Sequence, residues 1–318
     1  MKPDALGKNA ADVFSGRFFL VSYVPTLAFG VFLLVLVWAG APGAQVDFSA
    51  AWRTAARLRA GEWLLLVLGI TLAALLTHPL QLALVRVLEG HWPAAVRLPA
   101  ALGLRRQRRR RARLARASEP AGGAPDDARI QAAGVAGARL RELFPPADRL
   151  LPTALGNVLA AMEGRAGSGY GWDAPVAWPR LYPVLGEQMK AVVDDRRNTL
   201  DAAVRLSATT LWSGLVTLIL LARAGWWPLL ALLPLTASWI AYQGAVRAGV
   251  AYGEAITAAF DLHRFDLLTS LHLPLPADRD EERRQAADLC AHWRQGKPLA
   301  LVYDHPDNGG VPDGHRCS

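Results

Sequence analysis

The chain has 318 residues, of which 52% are hydrophobic, and a formal net charge of +8. Two cysteines exclude a disulfide-rich secreted domain. The basic residues crowd beside apolar stretches, a pattern that orients membrane helices, so the positive charge alone does not argue for nucleic-acid binding.

Four long apolar stretches dominate the hydropathy pattern. They are Phe18–Ala39, Trp63–Val85, Leu206–Ala222 and Trp226–Val246. A bilayer core of about 30 Å needs about 20 mostly apolar residues as a helix, and these stretches reach or approach that length. The first could also be a cleaved signal peptide, but its apolar run is longer than such segments usually have. The pattern predicts an all-α, polytopic membrane protein with four transmembrane helices and a helical cytosolic domain.

The basic residues predict which side of the membrane each segment faces. Lys2, Lys8 and Arg17 precede the first stretch, an arginine run follows the second, and Arg247 follows the fourth. Because cytoplasmic loops carry the excess of Lys and Arg, both termini are expected inside. The expected segments are a cytosolic N-terminus (1–17), a first helix pair with an outer loop (18–86), a cytosolic basic segment, linker and helical domain (87–205), a second hairpin (206–246) and a cytosolic helical tail with a disordered end (247–318).

The arginine run is expected to touch anionic lipid headgroups. It follows a rather apolar segment, residues 91–104, that suits the inner membrane surface, where each cation contributes about 1 kcal/mol. The alternative is that the run only fixes topology. RNA binding is not expected, because the interleaved aromatic residues of a base-stacking surface are missing. The arginines assigned to the lipid contact are Arg105, Arg106, Arg108, Arg109, Arg110 and Arg111.

Several long segments carry helix patterns outside the apolar stretches. A helix is expected from Asp127, another over Thr153–Gly164, and one continuous helix over Glu187–Ala222, which holds no Pro and no Gly before Gly214. The fourth span is expected to continue to Leu271. Such continuous helices would couple a cytosolic domain to the membrane region.

Polar residues share faces within the spans. Ser207, Thr210 and Thr217 lie on one face of the third span, and His78 and Gln81 share a face of the second. Such faces either pack helices closely or line a wet path. His78 is either a satisfied structural histidine or a functional group at membrane depth.

The segment after the fourth span holds a close-contact spacing and a charged cluster. Gly249 and Gly253 form a GxxxG spacing, which suits packing against the chain's own helices or against a second copy in a homo-oligomer. His263 with Asp266, and Asp261 with Arg264, are spaced to meet on one helix surface.

No motif for catalysis, cofactor or metal is present. The chain has no G-x-S-x-G, no H-E-x-x-H and no P-loop. Asp194, Asp195 and Asp201 are better explained as a solvated face than as a metal site, because no second acidic motif accompanies them. A non-enzymatic role without cofactor or metal is therefore expected.

Three segments resemble uncharacterised bacterial four-span integral membrane proteins. They are LPTALGNVLAAMEGRAGSGYG (151–171), WPRLYPVL (178–185) and AFDLHRFDLLTSLHLPLP (259–276). The resemblance implies the membrane class and, together with the Ala-, Arg- and Leu-rich composition, a bacterial inner-membrane location. It implies no activity and no catalytic residue.

Two functions are compatible with these features. The leading one is an oligomeric pore or membrane effector gated by its cytosolic domain, with the polar faces along the path. The alternative is a membrane-anchored scaffold or interaction module that recruits a cytosolic protein or binds a small ligand. An enzyme acting on lipid-borne substrates would need a divalent ion at Asp194 and Asp195.

Overall fold

A computed structural model describes residues 24–92, 97–119, 126–299 and 303–304, and of residues 24–26 and 73–82 it describes the backbone alone. The described residues form helices and turns without a strand, so the all-α prediction is confirmed. The ten α-helices in this part of the chain are α1 Val24–Trp38, α2 Phe48–Arg57, α3 Ala60–Leu88, α4 Arg97–Ser118, α5 Asp127–Leu143, α6 Ala154–Arg165, α7 Ala174–Leu181, α8 Glu187–Leu221, α9 Leu232–Ser270 and α10 Arg279–Gln295.

The helix boundaries follow local capping chemistry. The Asp47 carboxylate accepts from the Ser49 amide at 2.8 Å and so caps α2, and Asp278 does the same for two amides of α10. At the start of α3, the Glu62 carboxylate accepts from the Arg59 amide at 2.8 Å. The helix α10 ends at Gly296, whose φ of 65° suits a residue without a Cβ.

Among the described residues, two helices are long and apolar enough to cross a membrane. They are Glu187–Leu221 and the Trp227–Ser270 segment, which joins a short turn to α9. Two shorter apolar helical stretches, Leu27–Trp38 and Ala60–Leu72, lie where the first two spans were predicted. Residues 1–23, which hold the N-terminal cations and the start of the first apolar stretch, lie outside the described part. The all-helical character is thus observed, and two of the four predicted spans have the required length and composition in this part of the chain.

The chain divides into two compact units. Unit 1 comprises Met1–Leu159 and Arg196–Ala251, and unit 2 comprises Ala160–Asp195 and Tyr252–Ser318. The boundaries fall inside α6, α8 and α9, so each of these three helices contributes residues to both units. The hydropathy-based boundaries at residues 205 and 246 stay predictions about the membrane.

Unit 1 contains a helical hairpin and a tightly packed loop. The helices α4 and α5 pack against each other. The buried Asn157 closes the loop before α6, because its amide donates to the Leu151 and Thr153 carbonyls at 2.9 and 2.7 Å and accepts from the Leu151 amide at 2.8 Å. A Cβ at Gly156 would collide with the Glu89 carbonyl, so only glycine fits this approach.

Unit 2 has the largest buried apolar cluster among the described residues. Leu181, Phe260 and Leu267 lie at its centre, and the Trp178 ring lies 6.2 Å from the Phe260 ring. Two of the segments that carry the resemblance, 178–185 and 259–276, supply much of this cluster. Their apolar residues are therefore explained by packing within unit 2.

Candidate functional site

The predicted lipid-contact arginines lie on helix α4, not in a loop. One face of this helix is turned inward, because Gln107 is 7% exposed and Leu104 and Leu114 are half-buried. These positions share one side of a 3.6-residue helix. The inward face therefore packs within unit 1, where α5 is the neighbouring helix.

The opposite face of α4 is an exposed stripe that begins with leucine and continues with arginine. Its members are spaced by three or four residues and are all exposed. Leu98 and Leu102 are 80% and 64% exposed, unusually high for leucine. We call this face the arginine stripe; it consists of Leu98, Leu102, Arg105, Arg109, Arg113 and Arg116.

The charge of the arginine stripe is not neutralised by the described residues. The ion pairs in this part of the chain use Arg53, Lys190, His263, Arg264 and Arg294, and none uses an arginine of α4. Like charges along one face repel each other unless an anionic surface approaches. The stripe therefore presents an apolar end and a concentrated positive field to its surroundings.

The structure changes which arginines belong to this surface. Arg105, Arg106, Arg108, Arg109 and Arg110 are exposed as expected for lipid contact, whereas Arg111 is half-buried and its Nε has no hydrogen-bond partner among the described residues. The sequence interpretation placed residues 91–104 at the inner membrane surface but did not group Leu98 and Leu102 with Arg113 and Arg116 on one helix face. Counting the helical period from Leu98 across the arginine run would have grouped them.

The polar face of α8 is buried within unit 1. Ser207, Thr210 and Thr217 are at most 1% exposed. Ser207 Oγ donates to the Ser238 carbonyl at 3.1 Å, and Thr210 and Thr217 donate to carbonyls of their own helix at 2.7 and 2.8 Å. Ser207 therefore bonds across to α9, whereas Thr210 and Thr217 are buried with their hydroxyls bonded within α8.

A glycine lets α8 and α9 approach at this interface. A Cβ at Gly214 would lie 2.6 Å from the nearest Leu235 side-chain atom. Small residues commonly permit such approaches between membrane helices. Of the remaining polar-face candidates, His78 and Gln81 lie on helix α3, but their side chains are outside the described residues.

The two glycines of the GxxxG spacing lie against helix α6, each within its own unit. A Cβ at Gly249 would lie 3.2 Å from Val158 in unit 1, and one at Gly253 would lie 3.1 Å from Met162 in unit 2. Both glycines are buried. Their spacing thus serves close packing inside the chain.

The charged cluster of unit 2 pairs differently from its sequence spacing. His263 Nδ1 and Asp266 Oδ2 meet at 2.7 Å, as expected. Arg264, however, pairs with Glu282 at 2.7 Å, and its guanidinium stacks 4.0 Å from the Tyr170 ring centre. The Asp261 carboxylate instead accepts from the Tyr170 hydroxyl at 2.9 Å, a bond that raises the pKa of Tyr170.

The described residues do not assemble a metal centre. They contain no group of three or more His, Cys, Asp or Glu side chains that could hold a metal ion. Asp194 accepts from the Tyr182 hydroxyl at 2.8 and 3.0 Å, which gives this predicted surface residue a structural contact. Burial raises the pKa of the Cys290 thiol to about 11, so the reactive thiolate is scarce at neutral pH.

No protein-family model, curated protein or solved structure matches this chain. The resemblance to bacterial four-span membrane proteins therefore stays a prediction. The function has to be argued from the geometry of the chain itself.

Proposed function

We propose that this chain is a four-span inner-membrane protein with both termini in the cytoplasm, acting as a non-enzymatic, membrane-anchored interaction module. Its arginine stripe lies on the cytoplasmic membrane surface and binds anionic phospholipid headgroups. The observation that carries the proposal is the stripe itself, which joins two exposed leucines to four exposed arginines without an acidic partner among the described residues.

Exposed apolar side chains support the membrane part of the proposal. In the segment that contains α9, only 28% of the most apolar 18-residue window is buried, unlike a core helix of a soluble protein. Large exposed apolar side chains also lie along α3, at the end of α8 and in the first part of α9. Their most exposed members are Leu64, Leu65, Leu68, Ile219, Leu233, Trp239 and Ile240, each at least 62% exposed. Lipid chains can cover these side chains, because the backbone N–H and C=O groups of a helix are already hydrogen-bonded within the helix.

Electrostatics support the headgroup part. An arginine held close to an anionic leaflet contributes about 1 kcal/mol, and the contribution disappears beyond about one Debye length. Four arginines on one helix face can approach the same surface together, and the leucines ahead of them can enter the headgroup–acyl boundary. Four of the eight arginines between residues 105 and 116 lie in the stripe, and the exposed Arg106, Arg108 and Arg110 flank it.

Three of the five pore-lining candidates are less well placed for a pore in this arrangement, and the side chains of the other two, His78 and Gln81, lie outside the described residues. Ser207, Thr210 and Thr217 are buried, and each hydroxyl donates to a backbone carbonyl. A water-filled path along this face would have to separate α8 from α9. The interaction-module hypothesis needs no such opening and is therefore preferred; its cytosolic partner is a protein or a small ligand.

The test is the lipid that the full chain retains on purification. After extraction into detergent, bound phosphatidylglycerol and phosphatidylethanolamine are quantified by mass spectrometry for the wild type and for a variant with Arg105, Arg109, Arg113 and Arg116 changed to Gln. A matched control changes Arg129, Arg139, Arg141 and Arg149 to Gln, four exposed arginines outside the stripe. Selective loss of phosphatidylglycerol in the stripe variant supports the proposal, whereas equal retention in all three proteins contradicts it.

A further inference from the structure

Unit 2 contains a half-open cavity of about 290 Å³. Ala166, Ala174 and Ile256 form its buried part, at most 5% exposed. The half-buried residues Met162, Trp178 and Tyr252 and the exposed Glu163, Pro175 and Pro179 complete the lining. The volume is close to the lower end of the range of small-ligand sites, about 300–1,000 Å³.

The cavity is framed by parts of the chain that are held firmly in place. Trp178 also contacts the rings of Tyr182 and Phe260, at centroid distances of 5.8 and 6.2 Å. Met162 lies where Gly253 permits close approach of the α9 backbone. These contacts belong to the packed core of unit 2, so the cavity is preformed in the folded chain.

The cavity joins two aromatic side chains to a single charged group. Trp178 and Tyr252 are the aromatic residues of the lining, and Glu163 is its one ionisable carboxylate. Within the described residues, Glu163 takes part in no ion pair. Arg180, which follows the lining residue Pro179 in the chain, has its guanidinium 4.4 Å from the Trp293 ring centre and donates to the Val176 carbonyl.

This combination favours a cationic guest with an apolar surface. Aromatic faces attract a cation electrostatically, and quaternary ammonium groups suit such sites because their charge is spread over methyl groups. A neutral apolar guest would leave the Glu163 carboxylate partly desolvated beside it, and an anionic guest would be repelled. We propose that the unit 2 cavity binds a small organic ammonium ion, with Trp178 and Tyr252 on its methyl groups and Glu163 on its charge. The proposal does not depend on the arginine stripe.

The experiment compares choline with its uncharged analogue, in which carbon replaces the nitrogen. Binding to the full chain is measured by saturation-transfer NMR in a maltoside detergent, which carries no ammonium group of its own. We expect choline to bind about tenfold more tightly than the uncharged analogue, because only choline gains the charge-dependent contacts. Equal binding of the two compounds, or binding of neither, would overturn the proposal.

A matched pair of variants assigns the charge preference to the cavity. Glu163→Gln keeps the side-chain shape at an exposed position, so the fold is retained, and it is expected to abolish most of the preference for choline. Glu254→Gln removes an exposed carboxylate of α9 that does not line the cavity, and should leave the preference unchanged. A preference that survives Glu163→Gln, or that Glu254→Gln reduces equally, would refute the assignment.

Discussion

Ser207 and Ser238 form two reciprocal hydrogen bonds between α8 and α9, each hydroxyl donating to the backbone carbonyl of the other serine. Ser238 Oγ donates to the Ser207 carbonyl at 2.9 Å, and Ser207 Oγ donates to the Ser238 carbonyl at 3.1 Å. Both side chains are buried. The pair therefore links α8 to α9 within the hairpin that the proposal places in the membrane.

Removing either hydroxyl of this pair should weaken the fold moderately. Ser207→Ala and Ser238→Ala are each expected to lower the free energy of unfolding by about 1 kcal/mol, as typical for one hydrogen bond in a membrane helix pair. The double variant should lose less than the sum, because the two residues share one interface. Thermal unfolding in detergent measures this. Thr236→Ala is the control, because Thr236 is exposed and its hydroxyl donates to carbonyls of its own helix. An equal loss of stability in this variant would show that the bonds between Ser207 and Ser238 contribute no more than a bond within one helix.

Asn157 should be one of the most sensitive positions of unit 1. Asn157→Ala removes three hydrogen bonds from a fully buried side chain, so we expect a loss of about 2–3 kcal/mol in unfolding free energy. Denaturant unfolding followed by circular dichroism measures the loss. Asn198→Ala, at an exposed position of α8, should change stability by less than about 0.5 kcal/mol. Similar losses at both positions would mean that the Asn157 contacts contribute little.

The ion pair of Arg264 and Glu282 should be costly to break on one side only. Their side chains are 17% and 9% exposed, so Arg264→Met leaves a largely desolvated carboxylate and should cost about 3–5 kcal/mol. Adding Glu282→Leu should restore most of that loss, because the unpaired charge is then gone. The comparison pair is Lys190 with Glu187, where the acid is 96% exposed and Lys190→Met should cost less than about 1 kcal/mol. If the double variant is no more stable than Arg264→Met, unpaired charge is not the cause.

Glu89 should make unit 1 less stable as the pH rises. Burial, reinforced by the charge of Asp201, raises the pKa of Glu89 above its ordinary value of 4.5. The folded state therefore holds a proton that the unfolded state has released, and stability falls as the pH rises through this interval. Glu89→Gln should raise the melting temperature at pH 7 and lose this advantage below pH 4.5. Asp148→Asn, at an exposed position, serves as the control; a Glu89→Gln variant that is no more stable at pH 7 would contradict the expectation.

The local sequence pattern was sufficient to predict where the helices lie, but it was insufficient to predict which residues of different helices contact each other. The long helix expected over Glu187–Ala222 is observed as Glu187–Leu221, because an uninterrupted run without proline leaves the backbone little alternative. Arg264 does meet Asp261, three residues away, by donating to its carbonyl, but its ion pair is with Glu282, which reaches it only when α10 folds back onto α9. The inward face of α8 could be read from periodicity, but whether water or a helix covers it depends on residues such as Leu235 that are distant in sequence.

The arginine stripe is a second case in which the sequence pattern predicted the helix composition but not the surface that the helix presents. The sequence shows how many arginines the segment has, and the helix decides which of them share a face. Arg111 turns inward while Arg113 and Arg116 join Leu98 and Leu102 on the exposed side. The composition of a charge run therefore predicts the charge of its binding partner. The helical arrangement determines which side chains contact that partner.

The most direct measurement is the membrane depth of residue 102 in the full chain. A fluorescent label is placed at Leu102→Cys in a Cys317→Ser background, where burial and a pKa of about 11 keep Cys290 unreactive. Quenching by nitroxide-headgroup lipids and by aqueous iodide is then compared in bilayers with and without phosphatidylglycerol, before and after the four stripe arginines are changed to Gln. The proposal predicts strong lipid quenching and protection from iodide only with phosphatidylglycerol and intact arginines. Full iodide access in every bilayer would contradict it.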